Sequence, residues 1–311
     1  MLFLRTIQIP ALTPAKPRMS EFFTTRELAS LLRVKERKVY DLVAAEALPV
    51  RRVTGKLLFP RREIEAWIAS TGASPAASAP EAQRPLVMAG GHDPLLEWAL
   101  RESRSGIAAL LDGALDGLAR AEQGGCIAAG LHIPGAKADE WNVAAVKKSF
   151  GDSPVVLIEW AKRTRGLMYR SGRKRKIDTL AQIGEMRFQS RQPEAGSELV
   201  LARLLEQEGL KRSDLTLVDA VERSETDLAM AIAAGRADIG LGIEAAAKQF
   251  QLEFAALVIE RFDLLVWRKD YFDPPFQKLM RFCAGDAFRQ RARAFGGYDV
   301  AEFGTVRFNG P

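Results

Sequence analysis

Two sets of residues in this chain of 311 residues have the types and spacing to do chemistry. The first is basic: Lys35, Arg37 and Lys38 with Tyr40, then Arg51, Arg52 and Lys56 a few residues on. Cations repeated along one helical face take up phosphate oxygens, and a phenol such as Tyr40 adds a hydrogen-bond donor. The second set comprises hydroxyls and glycines at predicted helix starts: Ser105-Gly106, Gly196-Ser197 and Ser224-Glu225-Thr226. The first amides of a helix have no intrahelical partner, so with a nearby hydroxyl they form a seat for an anion. Ser and Thr also cap helices for stability alone, so only convergence of these sites in a cleft makes them a trap. His92 and His132, the two histidines, each follow a strand-like run, where cleft residues of α/β sheets belong. At these positions a structural histidine and a ligand contact both remain open.

Other chemistries find no support. No His, Cys and carboxylate cluster has metal-site spacing, and P-loop, nucleophile-elbow and dinucleotide fingerprints are missing. Gly235–Gly242, GRADIGLG, reads as close packing and a cleft-facing turn. No catalytic residue, metal or cofactor is therefore expected, and the chain is not read as an enzyme. Cys126 and Cys283 lie in apolar contexts, as suits a reducing cytoplasm. No apolar run reaches the roughly 18 residues of a membrane span, and residues 1–19 lack a signal-peptide pattern and read as a disordered extension. Charge is unevenly placed. Residues 1–70 hold 13 Lys/Arg against 7 Asp/Glu, whereas residues 71–311 hold 32 of each. A basic head on a neutral body is the footprint of a protein with a polyanionic partner at one end.

The elements that must position these groups follow from the pattern. Thr24 with Glu27 makes a capping box for a first helix whose inner face is Leu28, Leu31 and Leu32. After a turn at Arg33-Val34, a second helix from about Lys35 to Glu46 turns Val39, Leu42 and Val43 inward and its basic residues outward. Val50–Val53 and Lys56–Phe59 form a hairpin around Thr54-Gly55, and Pro60 starts a third helix carrying Ile64, Trp67 and Ile68. Residues 71–84, TGASPAASAPEAQR, are a linker by composition.

Behind the linker, strand-like runs (Leu86–Ala89, Cys126–Ala129, Val155–Trp160, Leu215–Val218, Ala237–Leu241, Ala255–Ile259 and Asp263–Trp267) alternate with helical patterns. One helix is expected from about Ser105, one after Gly196-Ser197, one around Leu228, and one C-terminal helix over about 274–294. Such alternation predicts an α/β domain with largely parallel sheets. Eight basic residues between Lys162 and Lys176 read as a solvated hairpin.

The stretch TTRELASLLRVKERKVYDLVAAEALPVRRVTGKLLFPRREIEAWI resembles the excisionase-type winged helix-turn-helix, a relative of the MerR DNA-binding fold, over residues 20–70. The segments MAGGHDPLLEWAL, GLHI, SPVVLIEWAKRTRGLMY, RQPEAGSELVLARLLEQEGL, AMAIAAGRADIGLGIEAAA and IERFDLLVWRKDYF resemble the type 2 periplasmic-binding-protein-like domain of bacterial regulators, over residues 85–311. That resemblance implies two α/β lobes (85–158 with 262–311, and 159–261) joined by crossover strands at Val155–Arg163 and Glu260–Trp267. It further implies a ligand-controlled regulator that binds double-stranded DNA as a homodimer and closes on a small anion such as molybdate or tungstate. Thr25, Lys35, Arg37, Lys38, Tyr40, Arg51, Arg52 and Lys56 are then the DNA-binding candidates. Gly91, His92, Ser105, His132, Arg191, Gly196, Ser197 and Thr226 are the ligand-binding candidates. An excisionase-like architectural protein without ligand control is the alternative.

Overall fold

The capping box forms as its spacing requires. The Thr24 hydroxyl accepts from the Glu27 amide at 3.3 Å, and the Glu27 carboxylate accepts from the Thr24 amide at 2.8 Å. The computed structural model describes residues 21–32, 34–44, 48–53, 55–71, 83–137, 139–172 and 176–311, with backbone alone for 66 and 68–71. It divides into two units, residues 1–82 and 83–311. Glu46, Thr54, the Ile68 side chain, the extension 1–19 and linker residues 72–82 lie outside the described residues.

The first unit contains β1 (Phe22–Phe23), α1 (Thr25–Leu31), α2 (Glu36–Ala44), β2 (Arg51–Val53), β3 (Lys56–Pro60) and α3 (Arg61–Thr71). The two-residue β1 escaped the sequence reading, being too short to show alternation. It pairs antiparallel with β3, Phe23 opposite Phe59, and makes the hairpin a three-stranded sheet. Phe23, Leu28, Val39, Val43, Phe59 and Ile64 form the core, so α1, α2 and α3 close over one face of the hairpin. Leu31, expected to face inward, is exposed at the end of α1.

The second unit is built on two long strands. β4 (Val87–Gly90), β5 (Ala108–Leu110) and β6 (Ala128–Leu131) run parallel, with α4 (Pro94–Glu102), α5 (Ala114–Glu122) and α6 (Val143–Phe150) between and after them. β7 (Val155–Tyr169) then leaves this first lobe. β8 (Arg187–Gln189), α7 (Gly196–Gln207), β9 (Thr216–Leu217), α8 (Glu225–Ala233), β10 (Ile239–Ile243) and α9 (Glu244–Gln249) make the second lobe, its three short strands again parallel. β11 (Glu253–Trp267) returns, and α10 (Arg268–Phe272), α11 (Pro274–Cys283), α12 (Asp286–Phe295), β12 (Tyr298–Asp299) and β13 (Val306–Asn309) complete the first lobe. The strand order β5-β4-β6-β11-β7-β10-β8-β9 shows β7 and β11 side by side and antiparallel between the two parallel sets.

Four expectations need correction. The crossover strand does not stop at Arg163 but continues to Tyr169, because Leu167–Tyr169 pair with β10 in the second lobe. Ala255–Ile259 and Asp263–Trp267 are one strand with register shifts at 256–258 and 262–263; the charged Glu260-Arg261 is its crossing point, not a turn. The helix expected from Ser105 is β5 followed by α5. Gly106 has φ +81°, which a helix does not permit, and Ala108 pairs with Val87. The C-terminal helix is two, interrupted at Ala284-Gly285. Among the described residues no helix is long and apolar enough to cross a membrane.

Candidate functional site

In the first unit, Val39 and Val43 anchor α2 and leave Lys35, Arg37, Lys38, Tyr40 and Asp41 exposed. Tyr40 keeps half of its surface (51%), unusual for an aromatic in so small a domain. Arg51, Arg52 and Lys56 are exposed on the hairpin, but Arg51 pairs with Glu63 of α3 at 2.8 Å, so part of its charge is already taken. Thr25 is half-buried in the first turn of α1. The basic candidates are thus exposed along α2, just ahead of it, and on the hairpin.

In the second unit the C-terminal ends of β4, β5 and β6 face the second lobe, where α/β sheets place ligands. Gly91 and His92 end β4, and His132 ends β6. The His132 ring stacks on Phe262 and lies so close to Gly196 that a Cβ there would come within 2.8 Å of Cε1. Only glycine fits at that lobe contact. Burial pushes the His132 imidazole below its ordinary range against the pull of Glu260; its Nδ1 lies 3.2 Å from the Glu260 carboxylate.

The centre of the cleft is an ion network carried by the crossover strands. Arg163 Nη1 donates to Asp93 at 2.9 Å and Nη2 to Glu260. Arg165 reaches Glu260 through Nε at 2.8 Å and Glu225, the first residue of α8, through Nη2 at 2.8 Å. Arg191 contacts the same Glu225 oxygen at 3.1 Å and donates to the carbonyls of Glu222 and Arg223. These three arginines and three carboxylates balance, and none is more than 4% exposed. Burial raises the Glu225 carboxyl, and Arg165 and Arg191 more than reverse this, to about 2. Glu260, also raised by burial, is held well below the carboxylate range by Arg163, Arg165 and His132.

Further contacts clasp the lobes at their rims. The Glu225 amide donates to His92 Nδ1 at 3.2 Å, so a first-lobe imidazole caps a second-lobe helix. The Leu115 amide of α5 donates to the Glu194 carbonyl at 3.0 Å. This needs Gly113 (φ +122°), where a Cβ would stand 2.6 Å from that carbonyl. Arg223 binds the Asp112 carboxylate, and Gln192 donates to the Asp112 carbonyl at 3.1 Å.

Of the ligand candidates, Gly91, His92, His132, Arg191 and Gly196 therefore meet in one place. Ser197 is the second residue of α7 rather than its cap; its hydroxyl is buried and, with Arg163 Nε, has no hydrogen-bond partner among the described residues. At α8 the cap is Ser224, which accepts from the Asp227 amide at 2.9 Å, and Thr226 lies half-buried beyond it. Ser105 is a correction: it precedes β5, at the end of the strand away from the cleft, and its hydroxyl serves the Ile107 amide at 3.4 Å. The third helix start in the cleft is instead Gly113 of α5.

The basic run is a second correction. Arg163 and Arg165 are among the most buried side chains of the molecule, and Arg173, Lys174 and Arg175 lie outside the described residues. A signal was available. Arg163 and Arg165 alternate with Lys162 and Thr164 inside a mostly apolar strand, so the pair must share one face, and among the described residues Glu260 sits in the other strand of that length. Glu225 and Asp93 gave no comparable sign.

A helix-turn-helix unit followed by a two-lobed α/β domain hinged on two antiparallel strands defines the class. The chain belongs to the PBP superfamily, whose domain matches residues 97–284, and residues 22–72 match a helix-turn-helix domain. The uncharacterized protein YvgK of Bacillus subtilis (strain 168) is 25% identical over 300 residues, 91% of this chain and 97% of that protein. Among solved structures, a candidate phosphate ABC transporter substrate-binding protein from Clostridium perfringens, with bound phosphate, has a TM-score of 0.51 at 11% identity, covering 71% of this chain and 99% of its own. OxyR of Corynebacterium glutamicum has a TM-score of 0.46 at 14% identity over 87% of this chain and 91% of its own.

Proposed function

We propose that this protein is a cytoplasmic transcriptional regulator in which a winged helix-turn-helix binds operator DNA and the two-lobed domain adjusts that binding in response to a small anion. The observation that carries the reading is the pairing of an exposed basic α2 with a cleft holding three buried arginines and the starts of α5, α7 and α8. Arg37, Lys38, Arg52 and Lys56 contact DNA phosphates and base edges, with Lys35, Thr25 and Tyr40 at the margin and Arg51 once released from Glu63. The protein acts as a homodimer on two half-sites, each taking one α2 in the major groove. The ligand is an oxyanion such as molybdate or tungstate, or another small anion; the phosphate held by the Clostridium protein on the same fold supports that class. Its differential affinity for the two lobe arrangements shifts the population of DNA-competent molecules.

The test uses the full chain and an operator selected from random DNA. R37E/K38E is expected to abolish the gel shift while leaving the melting temperature unchanged; retained affinity overturns the assignment of α2. In a thermal-shift panel of molybdate, tungstate, sulfate, phosphate and small organic acids, at least one anion is expected to raise the melting temperature and change operator affinity. A flat panel overturns the sensor role.

A further inference from the structure

We infer that Glu225 is a built-in occupant of the anion seat, so that the cleft closes on the chain's own carboxylate and an external anion enters only by displacing it. This rests on the reading of the cleft as a small-anion site and specifies how that site is regulated.

The geometry is that of a bound ligand. The Glu225 carboxylate is engaged by Arg165 on both oxygens, Oε1 to Nη2 at 2.8 Å and Oε2 to Nη1 at 3.4 Å. Arg191 Nη1 approaches Oε1 from the loop after β8 at 3.1 Å. Two-point contact from a guanidinium is how proteins grip carboxylate and phosphate oxygens. The carboxylate also stands in the first turn of the nine-residue α8, where the helix dipole favours negative charge. Glu260 plays a different part: it lies on β11 between Arg163, Arg165 and His132 and joins the crossover strands themselves.

Charge arithmetic gives the consequence. With Glu225 in place, Arg163, Arg165 and Arg191 are matched by Asp93, Glu225 and Glu260, and the cleft has no net charge for an anion. Without it, three cations face two carboxylates, an excess of one. Arg165 and Arg191 then point at a vacated position buried on all sides, where an unpaired charge is costly and an external anion is strongly favoured. Arg163 Nε and the Ser197 hydroxyl, both buried and without hydrogen-bond partners among the described residues, are further donors in the same cleft.

The experiment compares the full chain with Glu225→Gln and Glu225→Ala, using inorganic phosphate and formate as probes. Calorimetry is expected to show Glu225→Gln binding phosphate at least about tenfold more tightly than the parent, and Glu225→Gln/Arg191→Gln losing that gain. Formate is expected to raise the melting temperature of Glu225→Ala but not that of the parent. If either variant folds only when anion is supplied, the seat is equally demonstrated. Failure to fold at any anion concentration makes Glu225 structural cement and overturns the proposal. Unchanged phosphate affinity in a folded Glu225→Gln does so too. If the parent still responds to another anion of the panel, that failure leaves the regulator reading standing; if no anion moves either protein, the regulator reading falls with it.

Discussion

The basic residues of α2 and those of β7 are of one chemical type and serve opposite ends. Along α2 and just ahead of it, Lys35, Arg37 and Lys38 stand in water, where each charge is screened and available to a polyanion. On β7, Arg163 and Arg165 are wholly buried and every charge is met by a carboxylate. Exposed cations give affinity that salt can erase; buried ones give a geometry that only a competing ion can disturb. The difference is set by what surrounds the arginine: an amphipathic helix in one case, a strand between two lobes in the other.

The largest effect is expected from Glu260→Ala, which leaves Arg163 and Arg165 without their shared partner. Loss of one member of a buried pair costs about 3–5 kcal/mol, so the second unit should melt lower by roughly 10 °C. High salt should not mask that loss; a shift of less than a degree or two would show the network to be dispensable. Next comes the head. With about five phosphate contacts per half-site, the affinity of each head should drop about 500-fold between about 50 and 200 mM salt, and Arg37→Gln should reduce the log–log slope by about 1 per half-site. An unaltered slope would remove Arg37 from the interface.

Acid separates two groups of the clamp by sign. Burial holds the folded His132 below the ordinary histidine value of about 6.5, so the unfolded chain takes the proton first and stability is lost as pH falls through 6.5. Asp263 runs the other way. Burial, only partly offset by Arg261 and Asn142, raises it from 3.8 to about 6, so the folded form takes the proton first and gains stability as pH falls from 6 toward 3.8. From pH 7 to pH 5 the melting temperature should therefore rise for His132→Gln, by a few degrees at about 1.4 kcal/mol per pKa unit of Asp263, and fall for Asp263→Asn. Equal slopes would refute the assignment. Below 4.5 the depressed Glu225 and Glu260 lose their contribution in every variant. The smallest effect concerns Glu63→Ala, which frees Arg51: operator affinity should rise about two- to threefold with no measurable change in melting, since exposed pairs contribute little.

Much of the head was legible in sequence, because capping, amphipathic period and a hairpin turn are local signals; the two-residue β1, the exposure of Leu31 and the place of Pro60 at the end of β3 were not. In the second unit the local signals found most strands and α7, but not what joins them. Glu260 looked like a break between two strands because charge at mid-strand is ordinarily a turn, and only pairing with Arg163 and Arg165 from a distant segment permits it. Ser105 looked like a helix cap because the apolar positions of β5 and α5 together mimic a single 3.6-residue stripe. Of the five ligand candidates that do meet, Gly91, His92, His132 and Gly196 follow from a rule about strand ends and helix starts, which needs no partner to be known, whereas Arg191 comes only with the resemblance. The saturation of Arg163 and Arg165 by Asp93, Glu225 and Glu260 depended on contacts 60 or more residues apart.

The chain has two histidines, and both lie in the cleft, one against Glu225 and the other against Glu260. The imidazole region of its NMR spectrum is therefore a private channel. The two Hε1 resonances, one from each imidazole, report on the clamp, since the DNA-binding head carries no histidine. Whatever ligand or operator is added, that pair of signals says whether the lobes have felt it.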